Sequence, residues 1–250
     1  MVQPIIELKK VSLSYGMHDI VHEVDLSVAP GETKVILGPS GVGKSTILKA
    51  VLGLIRPKTG EIYVHGEGIS KLSESQLVRI RLRMSMVFQN GALFDSMSVA
   101  DNVSFRLREL GLVSGNQIEE RVEQVLKFVG LQGAKKLKPA QLSGGMRKRV
   151  AIARGLAPDP EIFLFDEPTV GLDPVNFYNT EQLILKLKKR EKMTTIMIVT
   201  HDIESALVLA DSIVMLHDGK FIFEGTPAEL KKSHDKRVRA FLDPASIDKN

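Results

Sequence analysis

The chain has 250 residues, 34 Lys and Arg against 30 Asp and Glu for a net charge of +4, and 43% hydrophobic residues, enough for one domain with a sizeable core. The absence of Cys excludes disulfides, thiolate metal sites and cysteine nucleophiles. With 5% aromatics and no Trp, the interleaved stacking residues of a single-strand nucleic-acid binder are missing.

In chain order, "IIELKKVSLSYG" and "IVHEVDLSV" alternate as two half-buried strands, and the chain start reads as strand rather than signal peptide. A turn at Pro30 and Gly31 leads into "KVILG", a buried-strand run. "GPSGVGKSTILKAVLGLI" then changes from glycines to helical spacing that ends near "RPKTG", and "EIYVHG" returns to strand.

From residue 89 to 157 the texture is helical, as in "SVADNVSFRLREL" and "QIEERVEQVLKFVGL", with Ser98 as cap and Gly130 as stop. Strands resume in "EIFLFDEP", "TTIMIVTHD" and the hairpin "SIVMLHDGKFIFEG", which turns at Asp218 and Gly219. "EQLILKLKKR" and "IESALVLAD" supply helices between them, so the expectation is an α/β fold with a mainly parallel sheet. Residues 1–88 and 158–225 form the core, 89–157 a helical insertion, and 226–250 a short, charged, peripheral tail. No segment approaches the roughly eighteen apolar residues of a membrane span. The chain is expected to stay in the cytosol or to dock on a membrane through something else.

"GPSGVGKS", Gly38 to Ser45, satisfies G-x-x-x-x-G-K-[ST] between a strand and a helix. Glycines there let backbone N–H groups converge on phosphate oxygens, and the helix dipole adds positive potential. Lys44 then neutralises the β- and γ-phosphates while the Ser45 hydroxyl, with Thr46 beside it, ligates Mg²⁺. "IFLFDEP" delivers Asp166 and Glu167 at a strand's C-terminal end, where open α/β sheets bind ligands. Asp166 suits the Mg²⁺ shell. Glu167, the next residue, is expected to point elsewhere along the strand and to polarise an attacking water. His201 follows the apolar run "TTIMIVT" in the same manner, whereas the histidines at 18, 22, 65, 217 and 234 have no such company. A second glycine turn, "QLSGGMRKR" from Gln141 to Arg149, runs into a basic amphipathic stretch like an anion site at a helix start, but has no P-loop lysine. Each of these features has a bland alternative: a glycine turn, solvated acids at a strand end, a structural histidine.

Together Gly38–Ser45, Gln89, "LSGGM", "FLFDEP", "GLDP" and "THD" occur in the order seen in ATP-binding-cassette (ABC) ATPases, a resemblance covering about 225 residues. It implies a P-loop NTPase with a RecA-like core, an N-terminal antiparallel β-subdomain and an inserted α-helical subdomain. By the same resemblance Tyr15 stacks on adenine; Gly38, Pro39, Ser40, Gly41, Gly43, Lys44, Ser45 and Thr46 hold ATP; and Gln89 contacts Mg²⁺ and the attacking water at the hinge to the insertion. Ser143, Gly144 and Gly145 would present hydroxyl and N–H groups to the γ-phosphate of another subunit, with Asp173 reaching across the interface. The implied assembly is a head-to-tail homodimer sandwiching two ATP molecules. Gly-Leu-Asp-Pro is also simply a good turn, and a Gln or Tyr at a strand end is often filler. Met146 departs from the Gln common in signature sequences, just beyond the phosphate contacts.

"MVFQNGALFDSMSVADNVSFRLRE" and "LSGGMRKRVAIAR" further resemble the ATPase subunits of Mla/Mce phospholipid-transport systems. That resemblance implies a peripheral protein at the cytoplasmic face of the inner membrane, docked on MlaE-like permease subunits, with an MCE-domain substrate-binding protein and a small STAS-type regulator as further partners and no nucleic acid. Rival readings are a P-loop kinase, a soluble ABC protein acting on DNA or ribosomes, a non-catalytic nucleotide sensor, and a transporter of another cargo.

Overall fold

The computed structural model describes residues 3–16, 18–111, 114–190 and 193–243. Two sheets organise them. An antiparallel sheet runs in the order β2-β1-β4-β5, from β1 (Ile6–Tyr15), β2 (His18–Val28), β4 (Thr59–Val64) and β5 (Glu67–Gly68). The larger sheet has the order β10-β9-β3-β8-β7-β6, from β3 (Thr33–Leu37), β6 (Met84–Val87), β7 (Ile162–Asp166), β8 (Thr195–Thr200), β9 (Ser212–His217) and β10 (Lys220–Gly225). All its pairings are parallel except the β9–β10 hairpin, where Asp218 and Gly219 both take positive φ as a two-residue turn requires.

Strand periodicity divides the core. Val35, Leu37, Phe163, Phe165, Ile196, Ile198, Ile213 and Met215 pack in one buried cluster with the helices on that face. Ile36, Ile162, Leu164, Met197, Val199, Val214 and Leu216 pack in another, with the small sheet. Both faces are covered, so these strands read as unbroken apolar runs.

The helices on the way are α1 (Lys44–Val51), α2 (Glu74–Arg81), α3 (Val99–Leu110), α4 (Gly115–Phe128), α5 (Gly144–Leu156), α6 (Pro174–Lys188), α7 (Ile203–Leu209), α8 (Pro227–Lys231) and α9 (Lys236–Leu242). Ser98 caps α3 by accepting from the Asp101 N–H, and Gly130 follows α4 at φ 70°. Four features differ from the sequence expectation. The helix after the glycine loop stops at Val51, because Gly53 turns out at φ 71°. The α2 segment was not anticipated, since only Leu77 and Ile80 of its eight residues are buried. Its marker is the capping box of Ser73 and Gln76. The α6 helix begins at Pro174 rather than near Glu181, because Asp173 caps it and its first turns expose Val175 and Tyr178. Finally, the segment after Gly225 is not peripheral: Leu230 and Val238 are fully buried in the main core cluster. Each of those two short helices fully buries one apolar side chain, with Phe241 and Leu242 of α9 partly buried against the same core, too few to show periodicity. The end of the tail, 244–250, lies outside the described residues.

Candidate active site

Four adjacent parallel strands, in the order β3-β8-β7-β6, each release a polar residue at the carboxyl edge of the sheet. The loop Gly38–Gly43 follows β3, His201 follows β8, Asp166 ends β7 with Glu167 next, and Gln89 follows β6. Ser40, Gly41, Gly43, Lys44, Ser45, Thr46, Gln89, Glu167 and His201, with Ile20 of β2, line one cavity of about 270 Å³. Strand order alone therefore gathers motifs more than a hundred residues apart.

The loop is shaped for an anion. Gly43 has φ 107°, and a Cβ there would stand 2.6 Å from Ile20 Cγ2, so no other residue fits without displacement. It precedes α1, which has no side-chain cap and no acidic residue in its first turn. The free N–H groups of that turn remain available to a ligand. Lys44 is buried; its Nζ donates to the Gly38 and Pro39 carbonyls at 2.8 Å each and lies 3.3 Å from Glu167 Oε1. Burial holds its ammonium below the ordinary lysine value, against the attraction of Glu167 and Asp166.

Asp166 Oδ1 accepts a 2.6 Å hydrogen bond from the Ser45 hydroxyl. Its neighbour does not point away from the loop, as alternation along a strand predicts. Glu167 takes φ 47°, so the chain leaves strand geometry there and both carboxylates meet the first two residues of α1, Ser45 and Lys44. Its carboxylate also accepts from the His201 backbone N–H at 3.3 Å and lies 3.1 Å from His201 Nδ1. Among the described residues no group of three or more His, Cys, Asp or Glu gathers into a metal cage. The oxygen pair of Ser45 and Asp166 instead fits a small hard cation that takes its remaining ligands from phosphate and water.

Other expected site residues stand apart. Tyr15 is 74% exposed at the end of β1 and does not line the cavity. Ser143 caps α5 through the Met146 N–H at 3.2 Å, and Gly144 lines a separate cleft with Gln89, Asn90, Gly91, Arg147, Lys148, Val170, Gly171 and Leu172. Gly145 abuts Asn176, whose side-chain amide donates to Asp173 Oδ2 at 2.6 Å. Asp173 also accepts from the Val175 and Asn176 N–H groups; these bonds, Asn176's first, hold its carboxyl below the usual range. Its visible role is the turn.

Sequence reasoning missed Lys148. Although it sits in the charged run "MRKR", it is buried, and its Nζ donates to the Gln89 carbonyl at 2.5 Å and the Glu167 carbonyl at 3.0 Å. Helical register does not separate it from exposed Arg147, which likewise stands three and four residues before buried Val150 and Ala151, so no local sequence feature marks it.

With this geometry in view, similarity to known proteins is informative. Residues 21–170 match the ABC transporter family. The intermembrane phospholipid transport system ATP-binding protein MlaF of Haemophilus influenzae is 42% identical over 97% of this chain and 91% of its own length. A Mycobacterium tuberculosis protein described as a probable ribonucleotide transport ATP-binding protein is 41% identical over 97% of this chain but 67% of its own length. Among solved structures, a dimeric ATP-binding cassette, MJ0796, in a post-hydrolysis state with ADP and Pi superposes with TM-score 0.82 at 35% identity, covering 89% of this chain and 98% of that one.

Proposed function

Because the chain belongs to the ABC transporter family of ATP-binding proteins, we propose that it is the ATP-hydrolysing subunit of a membrane transporter whose cargo is phospholipid. The observation that carries the hydrolytic part is the convergence of Lys44, Ser45, Asp166, Glu167, His201 and Gln89 on one sheet edge, three of them, Lys44, Ser45 and His201, tied by direct contacts to Glu167 or Asp166. Lys44 is already held by three oxygens, so little ordering entropy is lost when phosphate replaces them. Glu167 orients and polarises the attacking water, and His201 fixes the carboxylate that does so. Ser45 and Asp166, with Gln89, would hold Mg²⁺, which would supply charge neutralisation on the phosphates. Tyr15 stacks on adenine from its exposed position, worth about 1–3 kcal/mol by analogy with base–aromatic stacking.

Ser143, Gly144 and Gly145 lie outside the cavity that holds Lys44, which supports a site completed by a second copy in a head-to-tail dimer. Closure then orders these contacts and hydrolysis releases them, moving residues 89–157 through the Gln89 hinge against a permease. No helix among the described residues is long and apolar enough to cross a membrane, so attachment would run through the MlaE-like permease, alongside MCE-domain and STAS-type partners. The cargo reading rests on the phospholipid-transport relative; the similarly identical relative described as a ribonucleotide transporter favours a second cargo class.

Co-purification with the permease, followed by mass spectrometry of what is bound, tests the cargo: phospholipid supports the proposal and nucleotide replaces it. Phosphate release without an added acceptor separates hydrolysis from a P-loop kinase. Stable binding to DNA or RNA at low salt would move the protein to the soluble class.

A further inference from the structure

We propose that Lys148 is a positioning residue for hydrolysis: its ammonium ties together the strand ends that carry Gln89 and Glu167, and does so from the helix that begins at the second glycine turn. Three observations meet in this side chain. It is buried, with 7% of its surface exposed, although it lies in a charged run. Its Nζ donates to the backbone carbonyls of Gln89, at 2.5 Å, and of Glu167, at 3.0 Å, bridging the ends of the neighbouring strands β6 and β7. Its helix, α5, starts at Ser143 and Gly144, one turn away.

A buried ammonium is costly unless its donors are used, and two carbonyl acceptors take two of its three at short range. The same bonds restrain the backbone at the two positions whose side chains line the ATP cavity. Glu167 stands at φ 47°, a conformation that Glu rarely adopts unless its surroundings impose it. The carbonyl that Lys148 holds belongs to that residue, so the lysine is part of what keeps the carboxylate against Lys44 and His201. Burial holds the Lys148 ammonium below the ordinary lysine value, opposed by Asp166 and Glu167. The consequence for function is a rigid link from the turn expected to meet a partner's nucleotide to the carboxylate and glutamine of the chain's own site.

This inference rests on the hydrolytic reading above. Lys148→Met keeps the aliphatic stem and removes every donor, whereas Lys148→Arg keeps charge and donors. The expected result for K148M, assayed well below its melting temperature, is an ATP Kd within about three-fold of the parent. Its kcat should fall roughly 10–100-fold, the scale of a small misplacement of reacting groups. K148R should recover at least about a third of the parent kcat, since a second cationic donor can reach the same carbonyls. Parental kcat in K148M, equal loss of ATP binding and turnover, or K148R as inactive as K148M would each overturn the assignment. Should K148M fail to fold, Lys148→Gln, which keeps an N–H donor but loses charge and reach, is read by the same split between Kd and kcat. A parent protein that releases no phosphate under any condition would instead refute the hydrolytic reading itself.

Discussion

His201 Nδ1 lies 3.1 Å from both carboxylate oxygens of Glu167, and its backbone N–H reaches one of them. A carboxylate so gripped has its orientation set before any substrate arrives, which is what a general base needs. Glu167→Gln keeps the shape and loses basicity; turnover should fall roughly 10²–10⁴-fold with ATP affinity retained. His201→Ala should lower turnover as well, and by less than Glu167→Gln if its part is to orient. Single-turnover phosphate release in the two variants measures both, and wild-type turnover in E167Q would remove Glu167 from its role.

The depressed pKa of Lys44 makes ATP binding pH-dependent. Burial favours its neutral form in the free protein, whereas phosphate favours the charged form, so the pKa rises on binding. At pH below the free value Lys44 is charged in both states and no proton moves. Between the free and bound values a proton is taken up, and affinity weakens as pH rises through that window. Calorimetric titrations in two alkaline buffers of different ionisation enthalpy should reveal this uptake, and Lys44→Ala should abolish it. Equal uptake in K44A assigns the proton elsewhere.

Leu230 of α8 is completely buried within the main core. Leu230→Ala should cost about 2–5 kcal/mol, the range for emptying a buried leucine site. Urea denaturation gives the number directly. A loss below about 0.5 kcal/mol, typical of surface substitutions, would mean the segment does not pack as described.

How much of this was legible depended on whether the signal was local. The runs "KVILG", "IFLFD" and "TIMIV" declare buried strands by composition, and the glycine loop declares its geometry by residue type, so the sheet and its carboxyl-edge cluster followed. The orientation of Glu167 did not, because a left-handed glutamate has no sequence marker; it is imposed by the tertiary hold of Lys148, Lys44 and His201 together with the bond from its own N–H to the Val199 carbonyl. Lys148 itself was hidden among charges of the same sign. In α8 and α9 the periodicity argument had one buried apolar residue each to work with.

The second glycine turn is held to the segment after β7 by a tight contact. A Cβ on Gly145 would stand 2.0 Å from Asn176 Oδ1, and Asn176 in turn grips Asp173. Gly145→Ala should therefore displace the Asp173 loop and weaken ATP-driven dimerisation as well as stability. Asn176→Gly removes the obstructing atoms at a helix cost of about 1 kcal/mol. In a double-mutant cycle the pair should be less damaged than the sum of the single variants, and strict additivity would show that the contact is not the cause.

Ser143 stands at the mouth of that turn, exposed, with its oxygen accepting from the Met146 N–H and its own hydrogen free to donate. If it serves a neighbouring subunit's nucleotide, a bulky cation there should damage association and spare the chain's own cavity, which it does not line. Ser143→Arg should therefore abolish ATP-dependent dimerisation in sedimentation while the monomer binds ATP normally. Loss of monomer binding would place the turn in the same subunit's site. Mixing inactive S143R with inactive Lys44→Ala sharpens the distinction. In a head-to-tail dimer the mixed pair contains one site with intact Lys44 from the S143R chain and intact Ser143 from the K44A chain. Partial recovery of ATPase activity in the mixture is expected, and none should appear if each chain completes its own site.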